Sequence, residues 1–157
     1  MLAMNNFFLA VFIILGSGVL PLFFLWRRFA LMKTIASLGI SAGCLIGLID
    51  AIGPLSNGVD LTASAPYLRA FALTFRMDGL SSFFLIAIFF IALLAALYSL
   101  HYMADSRKTV RVAVHYLFFS LLVASMALVV TAANMITFML YWELMSLSSF
   151  FLVVYNY

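Results

Sequence analysis

From Val112 to Tyr157 the chain runs for 46 residues with a single formal charge, Glu143. As one continuous helix that run would be about 69 Å long at about 1.5 Å per residue. The hydrocarbon core of a bilayer is only about 30 Å thick. The run therefore has to fold back as two antiparallel membrane spans, expected at 112–132 and 135–154. Thr131-Ala-Ala-Asn134 is the natural turn, with Asn134 placed to cap the second helix. Glu143 is the ninth residue of that second span, about 12 Å from its start, too deep for so short a side chain to reach water.

The rest of the chain obeys the same constraint. With 68% hydrophobic and 8% charged residues and a mean hydropathy of +1.24, it falls far from soluble domains, in which about a quarter of residues are charged. The fold class is an all-α integral membrane protein with five transmembrane helices, forming one membrane domain over residues 1–157. Residues 7–25 form the first expected span. No basic segment precedes it and no small-residue cleavage pattern follows, so it reads as a retained helix rather than a signal peptide. The second span is expected at 34–53, with Asp50 near enough to its end to reach the interface, and the third at 80–100. Between them, residues 54–78 hold Pro54, Ser56, Asn57, Gly58, Asp60 and Pro66, which break periodicity and mark a loop with room for a short hairpin.

The basic residues give the orientation. Arg27, Arg28, Lys33, Arg107, Lys108 and Arg111 lie on one side of such a bundle, and Arg69 and Arg76 on the other. Six against two predicts the first side cytoplasmic, so the N-terminus lies outside and the C-terminus inside. The net charge of +3 arises from these scattered clusters. It does not describe a nucleic-acid surface, and no nucleic-acid partner is expected. Gly39, Gly43 and Gly47 recur every four residues and leave one face of the second span open to close helix packing. Asp78 stands where it can cap the third helix.

Chemistry concentrates at Glu143. Met135 and Met139 precede it on the same helix face, Ser146 and Leu147 follow, and that face must pack against protein. Taking a carboxylate out of water disfavours its charged form, so a group there can take up and release protons. A neutral, hydrogen-bonded structural glutamate is the plainer reading, opposed by the cost of placing an acid in the membrane. His101 and His115 flank one connection and could ligate a b-type haem, but their spacing across a loop carries little weight. An interfacial His101 and a hydrogen-bonded His115 are the favoured reading. The chain has one cysteine, Cys44, and lacks a phosphate-binding glycine loop, a dinucleotide fingerprint and a nucleophile elbow. No cofactor and no metal site are expected on it, and any redox centre belongs to other subunits.

Three segments carry a resemblance: Phe75-Arg-Met-Asp-Gly-Leu-Ser-Ser-Phe-Phe84, Tyr98-Ser-Leu-His-Tyr-Met103, and Trp142-Glu-Leu-Met-Ser-Leu-Ser-Ser-Phe-Phe-Leu-Val-Val154. Together they resemble the N-terminal part of the proton-translocating antiporter-like membrane subunits of complex I, the multi-subunit Na⁺/H⁺ antiporters and the membrane-bound hydrogenases. The wording around Glu143 is most similar to the hydrogenase-4 component B and formate hydrogenlyase subunit 3 branch. The resemblance implies a multi-pass subunit of the cell inner (plasma) membrane, within an oxidoreductase complex of hydrogenase-4, formate hydrogenlyase or NADH dehydrogenase type. It also implies partner membrane and redox subunits, with protons, or alternatively Na⁺, as the transported ion. Glu143 would be a proton relay that pairs with a lysine on a later, broken helix. No such helix follows here, so the chain is expected to be an N-terminal fragment of a larger subunit. The alternatives are a non-catalytic subunit for membrane anchoring or assembly, or one belonging to a cation/proton antiporter.

Overall fold

The computed structural model describes residues 4–24, 29–58, 60–68, 71–102 and 109–154. Within them the chain forms α1 (Asn5–Phe24), α2 (Phe29–Asn57), strands β1 (Leu61–Leu68) and β2 (Phe71–Met77), α3 (Gly79–Tyr102), α4 (Thr109–Val130) and α5 (Met135–Val154). All five helices are long and apolar enough to cross a membrane. Arg27, Arg28, Arg69, Arg107 and Lys108, part of the charge count behind the orientation, lie outside the described residues.

α2 packs between α1 and α3, α4 lies against α1, and α5 attaches to the outer side of α4. The glycine stripe accounts for the first of these contacts. A methyl group at Gly43 would sit 2.5 Å from Ile14 Cγ1 and 3.0 Å from the Ala10 carbonyl oxygen, so only hydrogen lets α1 approach this closely. The stripe serves two neighbours, because Gly47 lies under the Phe89 ring of α3 while Gly43 faces α1. Farther along, Lys33 Nζ donates to the Leu100 carbonyl at 2.6 Å and Ser37 Oγ to the Ala96 carbonyl at 2.5 Å, satisfying carbonyls near the end of α3. Tyr116 and Ser99 join α4 to α3 through a 2.9 Å hydroxyl pair.

α2 extends past the expected end at residue 53, through Pro54, to Asn57. A proline this close to a helix terminus removes only the hydrogen bond to the carbonyl four residues back, and the ring is buried. The helix stops where Gly58 enters the left-handed region at φ 62° and its N–H donates to the Pro54 carbonyl at 3.1 Å. The loop that follows holds an antiparallel hairpin, with Leu61 opposite Met77 and Ala63 opposite Phe75. Asp78 then starts α3 as its N-cap, its Oδ1 accepting from the Ser81 amide at 2.8 Å.

Candidate functional site

The hairpin and the α4–α5 turn are stitched together at the edge of the bundle. Phe75 and Ala132 form an isolated antiparallel bridge. The Arg76 amide donates to the Thr131 carbonyl at 2.7 Å, and the Ala133 amide to the Thr74 carbonyl at 2.8 Å. The Thr74 amide in turn donates to Thr137 Oγ1 on the first turn of α5, at 3.1 Å. Asn134 acts in both directions. Its Oδ1 accepts from the Thr137 amide at 2.7 Å, capping α5, while its Nδ2 donates to the Ala72 carbonyl at 2.8 Å. The capping role follows from the sequence, whereas the bond to the hairpin does not, because its partner lies 62 residues earlier.

Phe75, buried, seals this joint by packing edge-on to Phe8 of α1, with ring centroids 5.3 Å apart, and against Tyr141 of α5 at 5.8 Å. Arg76 and Asp60 pair across the hairpin at 2.5 Å, both largely exposed. The Asp60 carboxylate raises the basicity of the Arg76 guanidinium, and the hydrogen bond from the Ser81 amide holds the Asp78 carboxyl below its ordinary range. α5 thus leaves a fixed point at its first turn, and Glu143 follows two turns later.

Glu143 is exposed on the outer flank of the bundle, and the expectation of a glutamate already buried is not met by the described residues of this chain. The physical reason is the position of α5. Only 11% of its span is buried, because it leans on α4 with one side, where Thr137 and Ser148 are enclosed and Phe118 stacks on Phe151 at 4.9 Å. Met135, Met139, Ser146 and Leu147, the neighbours expected along the glutamate's face, are all exposed with it. Of the nearby serines, Ser148 donates to the Leu144 carbonyl and Ser149 to the Ser146 carbonyl, so both hydroxyls are engaged within their own helix.

His115 stacks parallel to Phe119, ring centroids 6.4 Å apart, and sits edge-on to Tyr116. The side chain of His101 lies outside the described residues. Asp50, expected to reach the interface, meets Asn6 of α1, a partner not anticipated from the sequence, whose Nδ2 lies 3.5 Å from Asp50 Oδ1. The signal was available, since in antiparallel helices joined by a short connection the start of one lies level with the end of the other.

Residues 69–111 match the family described as NADH-Ubiquinone oxidoreductase (complex I), chain 5 N-terminus. That match covers β2 and α3 and stops before α5. Over 113 residues, 71% of its length, the chain is 36% identical to hydrogenase-4 component B of Escherichia coli, covering 17% of that protein. It is 41% identical over 83 residues to the putative antiporter subunit mnhA2 of Staphylococcus saprophyticus, covering 53% of this chain and 10% of that one. With the A/B subunit of a probable K(+)/H(+) antiporter of Rhizobium meliloti it shares 40% identity over 85 residues, 52% of this chain and 8% of the relative. The chain thus spans about a sixth or less of the curated relatives it matches. It is a membrane chain whose residues 69–111 match the N-terminal segment of the complex I chain 5 family and which is similar, over part of their length, to hydrogenase-4 component B and the antiporter subunits.

Proposed function

We propose that this chain is the N-terminal part of a proton-translocating subunit of the cell inner membrane, in a hydrogenase- or NADH-quinone oxidoreductase-like complex. Glu143 is its proton relay, and electron transfer takes place in partner subunits that carry the redox centres. The observation that carries this reading is the setting of Glu143: an acid at the ninth position of a membrane span, on a face that the described helices leave open. An ionised group at that depth costs about 2.5–3.5 kcal/mol on insertion scales, so such residues face protein or a water-filled path rather than lipid. A partner helix seated on the Met139, Glu143 and Leu147 face encloses the carboxyl and supplies the group with which it exchanges a proton. The lysine implied by the family resemblance fits that role.

The antiporter relatives favour a second reading, in which the same carboxyl serves cation/proton exchange without electron transfer. One experiment on the complete complex in sealed membrane vesicles addresses both. Glu143→Gln is expected to leave assembly intact and abolish proton translocation. Glu143→Asp, shorter by one methylene, is expected to retain an intermediate rate because proton transfer requires hydrogen-bond reach. Wild-type translocation by an assembled Glu143→Gln complex contradicts the relay. Translocation driven by a sodium or potassium gradient, with no electron donor present, selects the antiporter reading.

A further inference from the structure

The described acids outside α5 divide by partner. Asp60 is paired with Arg76 and Asp78 caps α3, but no cation among the described residues reaches Asp50. Its Oδ1 has the distant Asn6 amide, the backbone amide of Phe7 faces the same carboxylate, and Oδ2 is shielded with no hydrogen-bond partner among the described residues. Asp50 lines a groove of about 350 Å³ between the start of α1 and the end of α2, with Asn6, Ile46, Ile49, Pro54 and Asn57 among its walls.

The level of this groove follows from helix lengths. α1, with 20 residues, is about 30 Å long and just spans the hydrocarbon core. Its first turn, with Asn6, therefore lies at the membrane boundary, and the bond to Asn6 holds Asp50 at that level. α2 has 29 residues and continues beyond the boundary, carrying Pro54 and Asn57 into the headgroup region. Toward the membrane interior the groove opens past Ile49, which is 72% exposed.

We propose that this groove binds a phospholipid whose headgroup ends in a primary ammonium, an ethanolamine lipid. The chemistry is complementary at three points. The Asp50 carboxylate takes the ammonium. The Asn57 side-chain amide, two turns farther along α2 toward the headgroups, donates to the phosphate. Ile46 and Ile49 line the path of the glycerol and the first methylenes. A groove of about 350 Å³ has room for a ligand of headgroup size. Mostly apolar walls around a few polar groups are the usual form of a site for a larger, amphipathic ligand. The inference stands apart from the relay role of Glu143 and does not depend on it.

The test presents the purified full chain, in detergent micelles, with equimolar POPE, POPC and POPG, and reads retained lipid by native mass spectrometry. POPE is expected to be retained at least fivefold over POPC, whose methylated ammonium cannot donate to a carboxylate. Asp50→Asn, nearly isosteric, is expected to abolish that preference, and Asn57→Ala to weaken POPE retention about tenfold through loss of one charge-assisted bond. Asp60→Asn, which removes an acid outside the groove, should leave retention unchanged, and equal thermal unfolding of the Asp50→Asn protein shows that folding is not the cause. The proposal is overturned if Asp50→Asn retains POPE like the wild type, or if POPC and POPE bind alike. It is also overturned if sodium chloride displaces POPE where choline chloride at the same ionic strength does not, which assigns the groove to a bare cation.

Discussion

α4 and α5 come from one apolar stretch of sequence in which Arg111 and Glu143 are the formal charges, have nearly the same length and are joined by a four-residue turn, yet they meet opposite fates. Half of α4's span is buried within the bundle, against 11% for α5. α4's surface is taken up by α1, α3 and α5, and its serines are turned back on their own helix, Ser120 to the Leu117 carbonyl and Ser125 to the Leu122 carbonyl. A helix so enclosed has little surface left for a partner. α5 is fixed at one end by the hairpin and along one side by α4, and the rest of its surface carries Glu143. The difference separates scaffold from interface: the chain holds α5 in place but does not enclose its acid.

Variants can sharpen or break that distinction. The largest effect is expected from Phe75→Ala, which empties the joint between α1, the hairpin and α5. Truncating a buried Phe costs about 3–5 kcal/mol, and chemical unfolding of the purified chain should show it. Amide exchange should rise most in α5 if α5 depends on this joint, and a uniform rise across all five helices would count against the distinction. Asn134→Ala removes both a cap and a bond to the hairpin, for about 2 kcal/mol together. Its exchange increase should begin in the first turn of α5 and spare α4.

Asp78→Asn tests the scaffold side. The Asp78 carboxyl is depressed by its bond to the Ser81 amide, so its contribution is fully present above the ordinary aspartate range and is lost as pH falls through the depressed value. Acid unfolding of the Asp78→Asn chain should lack that part of the pH dependence, with a loss of about 1 kcal/mol or less at neutral pH. The smallest effect is expected from Glu143→Gln in the isolated chain. On an open face the change should stay within about 0.5 kcal/mol, and a loss of several times that would mean that the described helices do engage the carboxyl.

The five helices were legible because length and the scarcity of charge, set against bilayer thickness, leave few ways to fold. Asp78 and Asn134 were legible as caps because capping is a local matter of side chain and spacing. The hairpin could be anticipated only as an option for the loop, since what fixes it is Thr131, Ala133 and Asn134, more than fifty residues downstream of its strands. Pro54 signals a break in the sequence, but a terminal turn tolerates a proline whose missing bond can be spared. Glu143's depth could be counted along the chain. Which side of α5 lies open could not, because local spacing does not say which flank α4 takes.

The relay account rests on a change in protonation at one carboxyl. Infrared difference spectroscopy of the complete complex during turnover reads that change directly, through the carboxylic C=O stretch. The account predicts a band that appears and decays with turnover, shifts with glutamate isotope labelling and is missing in Glu143→Gln. A Glu143 band that stays constant while protons cross the membrane would contradict it.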